Sequence, residues 1–399
     1  MNDAGIPQPH RPQLRRVLTF WPLVFYGLGV IVGAGIYVAI GAVIRRAGEA
    51  APLSFLLAGI AAGMTGLCYA ELAGRYPEAS GAVAYVRHAF GSDLLARLTG
   101  FAMTVAVAVA AASIARGAVH YIVVLLPLPV PLLTIGLVAG FTWIAALGVR
   151  ESVGIAATMG IIEIAGLIAA TVAGLLAAPE FHVSGMLPRD LAGWQGTVAG
   201  AFIAFFAFIG FETLANLAEE VKDPQRTVPR GILSALAASV VLYVSVASAA
   251  VLADSTAGNP LLGLFEGMNA SVFAAVGSIA VANGVLVQIV MLARLFYGMA
   301  NNGQIPAILG RVHPLRRTPT LATVLAGAIV LTAALLIPFE QLLVFANAVT
   351  LSIFALIDFA LWHLRRNAPP ARGSFTVFGW VPLTAAALAV ALMLGEILI

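Results

Sequence analysis

The chain has very little charge for its size. Of its 399 residues 61% are hydrophobic and only 10% charged, and the mean hydropathy is +1.00. Soluble domains carry about 25% charged residues, so a water-soluble globular fold is excluded and an all-α polytopic membrane protein is expected. Lysine is nearly missing: Lys222 stands alone, and arginine supplies every other basic side chain. Cysteine occurs once, at Cys68, which excludes an intramolecular disulfide and a cysteine-based metal cluster. Cys68 sits in an apolar run and is expected to be a buried small hydrophobe. The six histidines show no H-E-x-x-H spacing, and neither G-x-S-x-G nor a P-loop occurs. The pattern argues against an enzyme: no catalytic set, metal site or cofactor is expected, and no nucleic-acid partner. Residues 1–13 are polar and proline-rich, and the apolar stretch after them is too long for an h-region, so no cleavable signal peptide is expected.

What the chain does have is long apolar runs. Eleven can cross a hydrocarbon core of about 30 Å: 18–41, 53–74, 94–122, 131–147, 155–178, 197–218, 232–253, 271–299, 321–337, 341–363 and 378–399. With a cytoplasmic N-terminus, sixteen basic residues fall on the inner side, and Arg45, Arg46 and Arg189 fall on the outer side. That bias is the positive-inside pattern of a multi-pass protein of the cell membrane. The longest connections between runs also lie inside, and none has the length or composition of a separate domain. Residues 1–399 therefore read as one transmembrane domain.

Two runs are interrupted by glycine. Gly33-Ala34-Gly35 breaks the first, and Gly210 breaks the sixth, within Phe205–Glu212. A helix in lipid satisfies its own backbone and needs no such break, and glycine in a helix costs roughly 1 kcal/mol relative to alanine. Breaks at matching places in two halves of a chain point to the midplane site of a secondary transporter. N–H groups opening the second half of a broken helix suit a carboxylate. Carbonyls ending the first half suit an ammonium group or a cation. Two facing breaks could thus clamp the backbone of an α-amino acid. The expected contact residues are Ile31, Gly33, Ala34, Gly35, Phe206, Phe208, Ile209 and Gly210, with Asn283 of the eighth run. Gly27 and Gly29 are read instead as packing glycines.

Four stretches resemble the amino acid–polyamine–organocation superfamily. Ile31-Val32-Gly33-Ala34-Gly35-Ile36-Tyr37 resembles its first-helix signature, and Tyr76-Pro77-Glu78-Ala79-Ser80-Gly81 with Tyr85 the loop after its second helix. Phe205–Glu212 with the stretch from Ala218 to Ile232 resembles its sixth helix and the loop beyond; Ala293–Ala300 with Pro306 resembles the end of its eighth. The resemblance runs in order from about residue 18 to 365. It implies a five-plus-five inverted repeat with broken helices 1 and 6. Residues 18–178 would form the first repeat, 197–363 the second, and 378–399 an extra terminal helix. It also implies amino-acid transport by alternating access. The family typically has twelve spans where eleven are counted here.

Charged residues inside a span cost roughly 2.5–3.5 kcal/mol each, so each suggests a function. Glu163 lies about eight residues into the fifth run, on a face with Gly160, Gly166 and Ala170. By resemblance, this helix carries an ionisable residue in proton-coupled members and holds the ion in sodium-coupled ones. The proton-coupled pattern uses a basic residue where this chain has an acid. Glu212 matches an acidic position of the family, making Glu163 and Glu212 the candidates for proton coupling or gating. Phe206 matches an aromatic position that closes over substrate. Glu219 and Glu220 are read as cytoplasmic cap or gate residues. Asp358 and His363, near the inner end of the tenth run, are expected in the solvated interface.

The function expected is secondary active, proton-linked amino-acid transport, with sodium as the alternative coupling ion. An amine or polyamine exchanger would want further acids in the pocket. A transport-inactive amino-acid sensor would want a signalling domain.

Overall fold

The computed structural model describes residues 16, 18–78, 81–147, 149–178, 186–254, 260–265, 270–314, 316, 318–368 and 374–398, without the side chains of residues 149–157, 219, 270 and 397. Residues 1–13, Ala79 and Ser80 of the loop motif, and the Glu219 side chain lie outside the described residues. The helices are α1 (Phe20–Ile31), α2 (Ala34–Ala47), α3 (Ala51–Arg75), α4 (Ala82–Phe90), α5 (Asp93–Leu125), α6 (Val130–Leu147), α7 (Val149–Ala177) and α8 (Leu191–Ala204). They continue as α9 (Glu212–Asn216), α10 (Pro224–Leu252), α11 (Pro260–Gly263), α12 (Ala270–Asn301), α13 (Thr320–Leu336), α14 (Phe339–Asn367) and α15 (Val381–Leu398).

Each of the eleven apolar runs falls on helix. Among the described residues eight helical stretches are long and apolar enough to cross a membrane, and three shorter apolar helices accompany them: Phe20–Ile31, Thr320–Leu336 and Val381–Glu396. One of the eight, Ala34–Arg75, is two runs joined by a single 3₁₀ turn at Gly48–Ala50. Several hydroxyls within the spans are satisfied by their own helix. Thr104, Ser113, Thr171, Ser239 and Ser278 each donate to the carbonyl four residues earlier, the usual solution where water is absent.

Numbering the spans as α1/α2, α3, α5, α6, α7, then α8/α9, α10, α12, α13, α14 exposes an internal two-fold. Span 1 packs on span 6 (α2 on α8), span 2 on span 7 (α3 on α10), span 3 on span 8 (α5 on α12) and span 4 on span 9 (α6 on α13). The crossing contacts also come in mates: α7 on α12 matches α14 on α5, and α7 on α10 matches α14 on α3. Five is odd, so the second set must enter the membrane from the opposite side, and the repeat is inverted. α15 packs on α3, α8 and α14, outside this scheme.

The C-terminal ends of α3 and α14 are tied by one fully buried carboxylate. Glu71 of α3 takes Arg75 on Oε1 and Arg365 of α14 on both oxygens, while the Val377 N–H donates to Oε2 at 2.8 Å. Arg365 donates onward to the Val377 carbonyl (2.6 Å) and Arg75 to that of Ala368 (3.2 Å). The chain before α1 is held beside the loop after α9: Leu18 N–H donates to Glu220 O (3.0 Å) and Lys222 N–H to Leu18 O (2.8 Å).

Two expectations are corrected. Asp358 is not solvated at the interface: it is fully buried, and Thr65 Oγ1 donates to its Oδ2 at 2.9 Å. The amphipathic α4 packs on α14 and α5 and covers the helix where a count of residues places the interface. Gly29 is not a packing glycine, since a Cβ there meets nothing within 4 Å; at Gly27 it would come 2.7 Å from Leu214. Cys68 is buried as expected.

Removing one partner of a buried ion pair leaves an uncompensated charge. Glu71→Ala should destabilise the fold by about 3–5 kcal/mol, seen as a lower thermal midpoint of the purified protein in detergent. An unchanged midpoint would mean that both arginines find water instead.

Candidate functional site

The first break follows from how α1 ends. Val32 N–H donates to Leu28 O at 2.8 Å and closes the helix. Gly33 then leaves helical geometry (φ −40°, ψ −161°) and α2 restarts at Ala34. A new helix start leaves its first N–H groups without intrahelical acceptors, here those from Gly33 onward. The second break is longer. α8 passes into a 3₁₀ turn at Phe205–Phe208, Ile209 is extended, and Gly210 has φ +127° before α9 begins. Only glycine adopts that φ readily, and a Cβ there would also lie 2.9 Å from Val30 Cγ1.

The two breaks touch. A Cβ on Gly35 would fall 2.7 Å from the Cα of Ala207, so backbone meets backbone at that point. Tyr243 of α10, fully buried, pins the pair: its hydroxyl lies 2.6 Å from Ile31 O and 2.9 Å from Ala207 O. One hydroxyl hydrogen is thus shared between two carbonyls, one from each broken helix. The ring of Tyr243 is itself held edge-on by Phe55 and Phe208, at 6.1 and 5.0 Å between centroids.

The breaks differ in how their polar groups are met. At the second, Gly210 N–H donates to Glu212 Oε2 (2.8 Å), and the Thr213 hydroxyl donates to Gly210 O (2.6 Å). Glu212 therefore occupies the place where a foreign carboxylate was expected. Of the nine expected contact residues, Ile31, Gly33, Ala34, Phe206, Phe208, Gly210 and Asn283 are buried, and Gly35 and Ile209 keep partial exposure. Phe208 packs away from the break, against Gly59 and Tyr243.

Glu163 comes to the first break from α7. It is fully buried; its Oε2 lies 3.5 Å from Asn283 Nδ2 of α12, and its Oε1 lies 3.9 Å from where a Cβ on Gly33 would stand. Glu163 Oε1 and Asn283 Oδ1 have no hydrogen-bond partner among the described residues. The small-residue face around Glu163 is used in part: a Cβ at Gly166 would come 2.6 Å from both Tyr37 and Val276, whereas at Gly160 it would meet Gly29 and Asn283 at an ordinary 3.9 Å. Tyr37 of α2 donates to the Glu163 carbonyl at 2.8 Å, and Tyr121 donates to that of Tyr37 at 2.9 Å. Three separate stretches, around Gly33, Glu163 and Asn283, are thus assembled in one place. Tyr243, Tyr37 and Tyr121 were not singled out from the sequence, although a buried tyrosine hydroxyl in an apolar span needs a partner and was a usable signal. An apolar cleft of about 470 Å³ opens nearby between Ile162–Ala169 of α7 and Val272–Val276 of α12, and no break residue lines it.

Two facing helix breaks within an inverted repeat, with an acid and an amide beside one of them, define a transporter of the broken-helix class. The sequence pattern of the amino acid permease family matches residues 18–397, and the chain belongs to that family. A methylthioribose transporter of Bacillus subtilis (strain 168) is 30% identical over 93% of this chain and 86% of its own length. A branched-chain amino acid permease of the same organism is 29% identical over 89% and 82%. The vacuolar cationic amino acid transporter 4 of Arabidopsis thaliana is 30% identical over 90% of this chain, which spans 65% of that longer protein. The manganese transporter of Eremococcus coleocola, solved with an aromatic bis-isothiourea substituted compound, shares the fold: TM-score 0.60 at 14% identity, over 97% of this chain and 88% of that one. The chain is a multi-pass membrane permease and not an enzyme.

Tyr243→Phe should separate packing from pinning, because the ring stays and only the hydroxyl goes. A buried hydrogen bond is worth about 0.5–1.5 kcal/mol net, so the thermal midpoint should fall modestly while uptake into proteoliposomes falls several-fold more. Uptake that tracks the stability loss alone would make Tyr243 a structural residue only.

Proposed function

We propose that this permease carries α-amino acids across the cytoplasmic membrane by alternating access, driven by protons, with residues 18–178 and 197–363 as its two halves and its N-terminus inside. The observation that carries this reading is the pair of breaks in contact, with Glu163 and Asn283 aimed at the first. The substrate carboxylate goes to the N–H groups opening α2, at Gly33, Ala34 and Gly35, since the corresponding place at the second break is taken by Glu212. The ammonium group goes to the carbonyls ending α1, near Ile31, and the side chain toward Ile209. Phe206 closes the outer path. Glu163 carries the proton, and Asn283 orients its carboxyl.

A second reading is favoured by the relative from Bacillus subtilis, named as a methylthioribose transporter, whose length this chain covers almost completely. One thermal-shift screen separates the two readings by setting the amino acids beside methylthioribose. For an amino-acid substrate, esterifying the carboxyl should remove a charged hydrogen bond worth about 1.5–3 kcal/mol, roughly ten- to a hundred-fold in affinity.

Coupling is tested by imposing a pH gradient and a sodium gradient separately on proteoliposomes. Wild-type uptake should follow the pH gradient and ignore sodium. Glu163→Gln, which keeps the shape of a protonated carboxyl, should bind substrate and exchange it but lose the response to pH. Uptake that follows sodium in the wild type, or pH in the variant, would remove Glu163 from the coupling role.

A further inference from the structure

Another buried acid, besides Glu71, lies outside the site described so far. Asp358 of α14 is fully buried, as are Thr65, Cys68 and Tyr69 of α3 and Tyr85 of α4 around it. Thr65 donates to Asp358 Oδ2 (2.9 Å), and the Cys68 thiol stands within electrostatic reach of the same carboxyl. Asp358 Oδ1, Tyr69 Oη and Tyr85 Oη have no hydrogen-bond partner among the described residues. Tyr69 and Tyr85 are ring neighbours at 6.0 Å, and Tyr69 lies within electrostatic reach of both Asp358 and Glu212. The Tyr69 hydroxyl therefore stands in the field of both carboxyls without a hydrogen bond to either.

No counter-charge among the described residues is free to meet Asp358. The nearest arginines, Arg75 and Arg365, are engaged by Glu71 about a turn further along α3. α4 adds Tyr85 and, near its end, Arg87 and His88, of which Arg87 pairs with Asp93 and His88 with Glu78. α14 itself has His363, stacked on Phe90. α5 carries its ionisable groups toward its ends (Asp93, Arg97, Arg116, His120, Tyr121), α15 has only Glu396, and α8 and the 3₁₀ turn after it have none. An ionised carboxyl buried without a partner costs several kcal/mol, which a proton on Oδ1 removes. Yet the pocket also provides a donor for the ionised form, Thr65, with the Cys68 thiol nearby, and the Glu71 network next to it reaches Arg365, whose side chain keeps 16% exposure.

We propose that Asp358, Thr65 and Cys68, with the Tyr69 and Tyr85 hydroxyls, form a proton-exchanging site in the inner half of the protein, separate from Glu163. The carboxylic acid gives its proton to water on the inner side and leaves a carboxylate held by the Thr65 hydroxyl and the Cys68 thiol; uptake is the reverse. Exchange there alters the contact of α3 with α14.

The only cysteine of the chain supplies the probe. The S–H stretch falls in a region of the infrared spectrum free of other protein bands, so here it reports Cys68 alone. A carboxylate is a stronger acceptor than a carboxylic acid, so deprotonation of Asp358 should move the Cys68 S–H band to lower wavenumber. The wild-type protein, without substrate or gradient, should show one reversible shift across the pH range in which it stays folded, and Asp358→Asn should show none. Should Asp358→Asn not fold, wild-type protein labelled at the aspartate carboxyl should show the carbonyl band of a protonated buried aspartic acid vanishing over the same pH step. A wild-type band that never moves, or one that moves equally in Asp358→Asn, would overturn the site. Neither result bears on Glu163.

Discussion

A peptide group in lipid must find its hydrogen-bond partner within the protein, and in this permease that demand falls hardest on the carbonyls where α1 and α8 stop. Tyr243 answers it for both at once. Its single hydroxyl hydrogen lies within bonding distance of Ile31 O and Ala207 O, which requires the two helix ends to converge on one point of α10. Their convergence is sterically possible because Gly35 has no Cβ to keep it from Ala207. A rigid span, a shared hydrogen and a missing side chain thus make one unit of two broken helices. Whatever moves during transport, α10 and both break points have reason to move together.

The internal two-fold does not extend to the chemistry of the breaks. The second break meets its own needs, with Glu212 capping Gly210 and Thr213 bonding the Gly210 carbonyl. The first break has no capping side chain on Gly33. Instead, Glu163 and Asn283 stand next to it, each with a buried oxygen lacking a partner among the described residues. Polar atoms left in this condition are costly. They are retained where something else completes them during function. On the proposed reading, the substrate and the proton are what complete them.

Much of this was legible in the sequence, because the features concerned are local. A helix break declares itself through glycine in an apolar run and a span through its length, while the inverted repeat was implied by the resemblance to a known superfamily. Contacts across the bundle leave no such local mark. The partners of Tyr243 lie 212 and 36 residues away, and helical periodicity gives the face a tyrosine occupies but not what faces it. Gly27 and Gly29 were read alike from the sequence, yet a Cβ would come 2.7 Å from Leu214 at the first and meet nothing within 4 Å at the second. The burial of Asp358 escapes the sequence for a related reason. Counting along α14 measures its distance from the helix end, while its solvation is set by α4, which belongs to a loop and packs across that end.

Two of the buried acids, Glu163 and Asp358, also clarify what the repeat contributes. Glu163 lies on the fifth span and Asp358 on the tenth, two helices of 29 residues each that occupy corresponding places in the halves. Their contacts do not correspond. Glu163 reaches span 8 through Asn283, whereas Asp358 reaches span 2 through Thr65; the symmetry mate of the first contact would have been span 3. Glu163 also sits at the middle of its helix, and Asp358 nearer the C-terminal end of its own. A symmetric scaffold alone gives no reason for inward movement to differ from outward movement. The difference has to come from side chains that break the symmetry, and among buried carboxyls Glu163 and Asp358 break it most plainly: one beside the first helix break, the other in the C-terminal half of α14.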